Sequence, residues 1–470
     1  MIEISLAQIR QLLDSQLSPN VEQPSFRFPN AVVNGRVVID SREVRAGDLF
    51  VALPGERADG ADFIPMALAA GAVGVVTSTE FEGPVIIVSD PVRALGSLAH
   101  GVAGLLSDLT VIGITGSTGK TSTKDLLAQI LALVAPTIAP KESFNNEIGL
   151  PLTVLRSDKG TRYLVLELGA RGPGHLRYLC GIAPPNAAVV LNVGTAHLGE
   201  FGDRAAIAAA KAEIVTAVQP GGVVLLNADD PLVLAMRTNV AAGVRIITFA
   251  QVADADVSAG NVQLDEQARA SFDLSWNRET ERVQLQLVGA HQVANALAAA
   301  SVCFGLGIPI AAVAAGLRSA TAQSKWRMQV SETADGVIVV NDAYNANPES
   351  MRAALTSLVV LGRGRPTWAV LGEMRELGPE SAQQHELVGA LVAEVGIDRL
   401  VVVGSPALPM YEAAAKSTSW RGQAVFVDSV AAAEELVLEA VRSGDVVLVK
   451  ASRAVGLEAV AETLERRSRP

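Results

Sequence analysis

Residues Val111 to Ser122 read Val-Ile-Gly-Ile-Thr-Gly-Ser-Thr-Gly-Lys-Thr-Ser, and no other stretch restricts the fold of this chain so tightly. The leading apolar run suits a buried strand, the glycines allow a tight turn, and Lys124-Asp-Leu-Leu-Ala-Gln-Ile-Leu continues as a helix. A strand that turns into a helix N-terminus points several backbone N–H groups at one place, where the helix dipole favours an anion. Gly116, Ser117, Thr118 and Gly119 are therefore expected to cradle phosphate, with Lys120 reaching the β- and γ-phosphates. The Thr121 hydroxyl would sit on Mg²⁺, with Ser122 beside it in the nucleotide site. A strict loop of this class has glycine five residues before Gly119, where this chain has Ile114, so the loop is an unusual variant.

Around that loop the chain has room for several domains: 470 residues predict about three. Hydrophobic residues make up 49% and aromatic residues 4%, so the cores must be built from Ala, Val, Leu and Ile. The net charge of −11 argues against a broad nucleic-acid or anionic-membrane surface. Cys180 and Cys303 are too few for a disulfide framework or a thiolate zinc site, which fits a reducing compartment. The first residues lack the basic start and long apolar core of a signal peptide. No charged residue occurs from Val283 through Leu317, but Gly305, Gly307 and Pro309 interrupt the run. Two buried helices explain it better than a membrane span, and a cytoplasmic protein is expected.

Periodicity divides the chain into three α/β units. Residues 1–107 form a small unit with a helix over 5–17, short strands at 36–40, 47–55, 73–77 and 85–88, and helices over 61–70 and 91–106. Residues 108–320 alternate apolar runs with helices, which predicts a mainly parallel sheet covered on both faces. Within them, 254–288 turn polar with a period of two and suggest an antiparallel extension. Residues 321–470 resume the α/β alternation, with strands at 336–341, 367–371, 399–403, 424–427 and 445–450. This last unit has no phosphate loop, so a Rossmann-like domain that closes over a nucleotide is expected.

Several side chains stand at strand ends, where open α/β sheets bind ligands. Glu167 closes the run Tyr-Leu-Val-Leu-Glu and suits a Mg²⁺ ligand. His197 follows another apolar run in a glycine-bracketed loop. Lys211 is the only basic residue of an alanine-lined helix face, and on spacing alone it reads as a lysine whose stem lies along the helix surface. His291 and Asn295, four apart, share one helix face. Asp342 ends a strand of the last unit, in Asn341-Asp-Ala-Tyr-Asn-Ala-Asn-Pro348, where a carboxylate could hold ribose hydroxyls or an Asx-rich turn could form. Asp40-Ser41-Arg42 reads equally as a ligand site or a strand cap. Asn227-Ala-Asp-Asp230 has alanine where a guanine-reading motif has lysine, and is taken as a turn.

Together these residues resemble the Mur ligase family, which joins amino acids or peptides to a nucleotide-linked muramoyl chain at the expense of ATP. The matching runs are Gly113-Ile-Thr-Gly-Ser-Thr-Gly-Lys-Thr-Ser, the Glu167 strand, Gly194-Thr-Ala-His, Ala210-Lys-Ala-Glu-Ile, Gly289-Ala-His-Gln-Val-Ala-Asn-Ala and Asn341 to Pro348. They span nearly the whole chain. Ser143-Phe-Asn-Asn-Glu-Ile-Gly-Leu-Pro-Leu-Thr153, Leu371-Gly-Glu-Met-Arg-Glu-Leu-Gly378 and Val449-Lys-Ala-Ser-Arg-Ala-Val-Gly456 point to the branch that takes UDP-N-acetylmuramoyl-tripeptide and D-alanyl-D-alanine. Ala451 and His175 depart from that pattern, where glycine and glutamate are usual.

The resemblance implies a UDP-binding first domain, a central ATPase domain and a mobile third domain, in a protein expected to be a monomer. It implies that Lys211 is carbamylated and holds a second Mg²⁺ with His197, while Thr121 and Glu167 hold the first. It places Asn295 on adenine, Arg327 on the phosphates and Asp342 on the ribose. Ser41, Arg42, Asn145, Asn146, Tyr344, Asn345 and Asn347 are expected to contact the other substrates. The reaction it implies runs through an acyl phosphate. Other members of the superfamily acting on different acids are the near alternative, and a P-loop switch ATPase is the distant one.

Overall fold

The computed structural model describes residues 2–18, 27–55, 58–140, 142–195 and 198–467. Besides a two-stranded antiparallel pair, Ile4–Ser5 with Val32–Val33, three larger sheets follow one another along the chain. The first is four-stranded and parallel, in the order Val37–Val38, Leu49–Val51, Gly74–Thr77, Val85–Ile87. Its first strand is shorter than the run 36–40 suggests, because Asp40 accepts a hydrogen bond from the Arg42 N–H and starts a single helical turn over Ser41–Glu43. The helix Leu6–Leu12 is set by a capping box between Ser5 and Gln8. The helix Pro91–Gly104 begins on the Asp90 cap, with proline at its first position. It packs on the helices Gly149–Val154 and His175–Ile182 of the next unit. One apolar core runs from Leu6 and Leu98 to Leu150 and Leu179, so burial rather than a linker joins the two units.

The central sheet has nine strands, in the order 279–288, 269–276, 257–264, 245–250, 223–227, 187–190, 110–115, 163–167, 137–138. From 257–264 to 137–138 the strands are parallel, and the last two hairpin strands at the other edge are antiparallel, as the polar alternation of 254–288 predicts. The strand Thr110–Thr115 lies between 187–190 and 163–167, so the chain leaves it toward one side of the sheet and later returns on the other. That reversal opens a crevice at its C-terminal end, where the phosphate loop begins. The helix Gln292–Gly305 is buried on nearly every face, and Ile310–Ser319 follows it, which accounts for the uncharged stretch. No described helix is long and apolar enough to cross a membrane.

The third sheet has six strands, in the order 329–332, 338–341, 446–450, 367–372, 399–403, 423–427. Five are parallel and match the expected runs. The sixth, Gln329–Glu332, pairs antiparallel at the edge and was not legible in the sequence, because two of its four residues are glutamine and glutamate on an exposed edge.

Candidate active site

Ile114, in place of the expected glycine, is fully buried, since the strand continues through Thr115 before it turns. Thr115 Oγ1 donates to the Leu168 carbonyl at 3.0 Å and ties the strand end to its neighbour. Two later glycines make the turn. A Cβ on Gly116 would lie 2.8 Å from the Cβ of Leu191. Gly119 has φ +82° and caps the helix Lys120–Ala132, and a Cβ there would sit 2.4 Å from Asn295 Oδ1. The loop is pinned by Asn192, whose Oδ1 accepts from the N–H groups of Ser117 (3.0 Å) and Thr118 (2.9 Å). Lys120 Nζ donates to the Gly116 carbonyl at 2.8 Å. Burial pulls the Lys120 pKa below its usual value, against the opposing pull of Glu167.

Thr121 Oγ1 donates to Glu167 Oε2 at 2.9 Å, and Asn145 Nδ2 donates to Glu167 Oε1 at 3.0 Å. Ser143 Oγ lies 3.0 Å from Thr121 Oγ1 and accepts from Arg327 Nη2 at 3.0 Å. A hydroxyl and a buried carboxylate side by side at a helix N-terminus suit Mg²⁺, which takes one or two protein carboxylates and fills its remaining positions with water and phosphate oxygens. No group of three His, Cys, Asp or Glu side chains is poised for a metal among the described residues, so this pair would depend on those outer ligands.

Lys211 corrects the expectation of a surface lysine. It lies in the helix Arg204–Ala217 with 3% exposure and forms no ion pair among the described residues. Burial, reinforced by the charge of Lys120, pushes its pKa down from 10.5 to about 7. Two residues on, Glu213 is buried and accepts from the N–H groups of Gly174 (2.5 Å) and Arg177 (3.0 Å), so it closes the start of the helix His175–Ile182. His197 lies outside the described residues.

The opposite wall comes from the helix Gln292–Gly305 and the third sheet. His291 is the N-cap residue, half-buried, with its Nδ1 atom buried and unpartnered among the described residues, and Asn295 Nδ2 donates to Gln292 Oε1 at 2.9 Å. Arg327 is bracketed by two non-glycine residues in the left-handed region, Trp326 (φ +56°) and Met328 (φ +48°). Each such residue costs about 1–2 kcal/mol and persists only where its surroundings enforce it. Here the Met328 N–H donates to Asp342 Oδ1 (3.0 Å), the Tyr344 N–H donates to the Trp326 carbonyl (3.1 Å), and the Arg327 guanidinium stacks 4.1 Å from the Tyr344 ring centre. Lys450, 2% exposed, donates to Asp342 Oδ2 at 2.6 Å and to the Asn345 carbonyl at 2.8 Å.

These walls enclose a cavity of about 660 Å³, lined by residues 117–122 of the loop, Asn145, Glu167, Asn295, Arg327, Asp342, Tyr344, Asn345 and Asn347. Asn347 also caps the helix Pro348–Leu361 in a capping box with Ser350. Asn146 lies outside the lining and accepts from the N–H of Gly149 at 2.8 Å, at the start of a helix. Ser41 and Arg42 are also outside it, and Arg42 pairs with Asp40 at 2.6 Å in the cap arrangement. Asn227 to Asp230 is a turn, as expected, yet Asn227 and Asp229 do line the cavity. The sequence reading assigned no role to Asn192, Ser143, Glu349, Glu376 or Lys450. Ser143, Glu376 and Lys450 stood in noted motifs, but nothing local shows that Glu349 or Glu376 reaches another unit.

Residues 35–100, 114–303 and 326–453 match, in turn, the "Mur ligase family, catalytic domain", the "Mur ligase middle domain" and the "Mur ligase, glutamate ligase domain". UDP-N-acetylmuramoyl-tripeptide–D-alanyl-D-alanine ligase of Mycobacterium leprae is 43% identical, over 99% of this chain and 98% of its own, and that of Escherichia coli is 34% identical over 99% of each. Among solved structures, MurF from Acinetobacter baumannii superposes with a TM-score of 0.88 at 32% identity, covering 99% of both chains. MurF ligase of Thermotoga maritima in complex with ADP gives 0.79 at 33% identity, over 92% of this chain and 98% of that one. With its phosphate loop, its three α/β units and these relatives matched end to end, the chain belongs to the Mur ligase family.

Proposed function

We propose that this protein is the ATP-dependent ligase that adds D-alanyl-D-alanine to UDP-N-acetylmuramoyl-tripeptide, releasing ADP and phosphate in the assembly of a peptidoglycan precursor. The observation that carries this reading is the end-to-end match to relatives of that name, on a chain whose phosphate loop opens into a cavity lined by both larger units. The units 1–107, 108–320 and 321–470 would serve the UDP end, the nucleotide and closure respectively. The loop N–H groups and Lys120 hold the polyphosphate, Asn295 meets the adenine, Arg327 the phosphates and Asp342 the ribose. Asn145, Tyr344, Asn345 and Asn347 face the peptide substrates.

The third residue's carboxylate attacks the γ-phosphorus of ATP, which breaks the bond to ADP and forms an acyl phosphate. The free amine of D-alanyl-D-alanine then attacks the acyl carbon, phosphate leaves with the bonding pair, and the amine proton passes to solvent or phosphate. Lys120 and Arg327 offset the repulsion between carboxylate and phosphate oxygens, and closure of the third unit keeps water from the acyl phosphate. Mg²⁺, held by Thr121 and Glu167, would supply further charge neutralisation at the phosphates, and a carbamylated Lys211 with His197 would hold a second ion. A monomer working in the cytoplasm fits this reading. Release of ADP that requires both the muramoyl tripeptide and D-alanyl-D-alanine tests it; release that ignores either would refute it.

A further inference from the structure

Glu349 stands in the first turn of the helix Pro348–Leu361, where its charge suits the helix dipole without any other partner. It reaches instead into the central unit. Oε1 accepts from both the N–H (2.9 Å) and the Oγ1 hydroxyl (3.0 Å) of Thr195. The approach is close enough that a Cβ on Gly194 would lie 2.8 Å from that oxygen. Gly194 in turn donates its N–H to Ser117 Oγ of the phosphate loop at 2.9 Å. A few residues later the third unit touches the same segment again. The Gly199 N–H donates to the Glu376 carbonyl at 3.3 Å, and a Cβ on Gly199 would lie 2.9 Å from the Gly378 nitrogen. Glu376 itself has φ +67°, a left-handed conformation that places this carbonyl at the contact.

The third unit thus touches the central unit twice within five residues, at Thr195 and at Gly199. We infer that Glu349 is a positioning residue: its carboxylate, carried by the third unit, sets the Gly194–Thr195 turn, and through it Ser117 of the phosphate loop, only while the third unit is docked on the central one. Closure and completion of the site then become one event, so an open enzyme binds nucleotide without committing it to reaction. This rests on the ligase reading for its kinetic part, while the contact itself can be tested without substrate.

The test uses the full-length protein with E349A and E349Q. Glutamine keeps a carbonyl oxygen for both Thr195 donors, and its amide NH₂ replaces Oε2, which has no partner among the described residues. In amide hydrogen exchange without ligands, the Thr195 N–H should lose protection in E349A and keep most of it in E349Q. In steady-state kinetics E349A should lose at least about tenfold in kcat, as expected when two charge-assisted hydrogen bonds are removed, with KM for the muramoyl substrate within about twofold. E349Q should recover most of that loss. Unchanged Thr195 exchange in E349A would overturn the inference, as would an E349Q as slow as E349A with Thr195 still protected. If the wild type itself forms no D-alanyl-D-alanine-dependent product, the ligase reading falls, and the exchange result alone decides the role of Glu349.

Discussion

Replacing Lys211 by methionine should stabilise the protein while removing its ligase activity. Lys211 is 3% exposed, and its pKa is pushed from 10.5 to about 7 by burial and by Lys120. At 1.36 kcal/mol per pH unit, holding that ammonium in the folded chain costs about 5 kcal/mol below pH 7. The sign follows from proton counts. Between pH 7 and 10.5 the unfolded chain keeps the proton and the folded chain does not, so wild-type stability rises with pH across that window and the cost is gone at its top. Methionine keeps the apolar stem and carries no charge, so its stability lacks this dependence. Urea unfolding of both proteins in CO₂-depleted buffer should therefore show Lys211→Met the more stable by several kcal/mol at pH 6, with the gap narrowing toward pH 10. Ligation in CO₂-containing buffer should fall at least about a thousandfold if a carbamate on Lys211 holds metal. A mutant less stable than wild type at pH 6 would show that the ammonium is paired in the fold, and a mutant of full activity would remove Lys211 from the chemistry.

Gly119→Ala must adopt φ +82° and bring a Cβ to 2.4 Å from Asn295 Oδ1, so ADP affinity by calorimetry should fall by about tenfold or more, and an affinity within twofold of wild type would contradict this account of the loop. Glu167→Gln keeps the Thr121 and Asn145 neighbours but removes the charge; the Mg²⁺ concentration for half-maximal activity should rise by about tenfold, with the unfolding midpoint nearly unchanged. Asp342→Asn retains an acceptor for the Met328 N–H but leaves the Lys450 ammonium, 2% exposed, without its counter-charge. That should cost about 3 kcal/mol in urea unfolding, and Lys450→Met on the same background should recover much of it.

Much of this protein was legible from local pattern. The strand–loop–helix at 110–132 needs only an apolar run, two glycines and a helix former, and these act over neighbouring residues. The parallel strands of the third sheet were likewise found within a residue or two, since buried parallel strands are continuous apolar runs. Edges were less legible. Gln329–Glu332 is polar and exposed and pairs only because Ile338–Asn341 offers it a free side.

The site divides along the same line. Thr121, Glu167, Asn295 and Asp342 could be named because each sits beside a recognisable loop, strand end or helix start; Arg327 was named through the family resemblance alone, and all five line one cavity. The burial of Lys211 could not be named from its alanine-rich helix, because whether a lysine reaches water depends on what packs over it, and here that is another part of the fold. The same holds for Asn192 pinning the phosphate loop, for the strained residues that aim Arg327, and for Glu349 crossing to Thr195. Sequence by itself determined the elements, their order and the phosphate cradle, since those depend on interactions a few residues long. Tertiary structure alone decided which charges lose their water and which side chains meet across units, because desolvation and contact are set by neighbours far along the chain, 75 residues apart for Ser117 and Asn192 and 154 for Thr195 and Glu349.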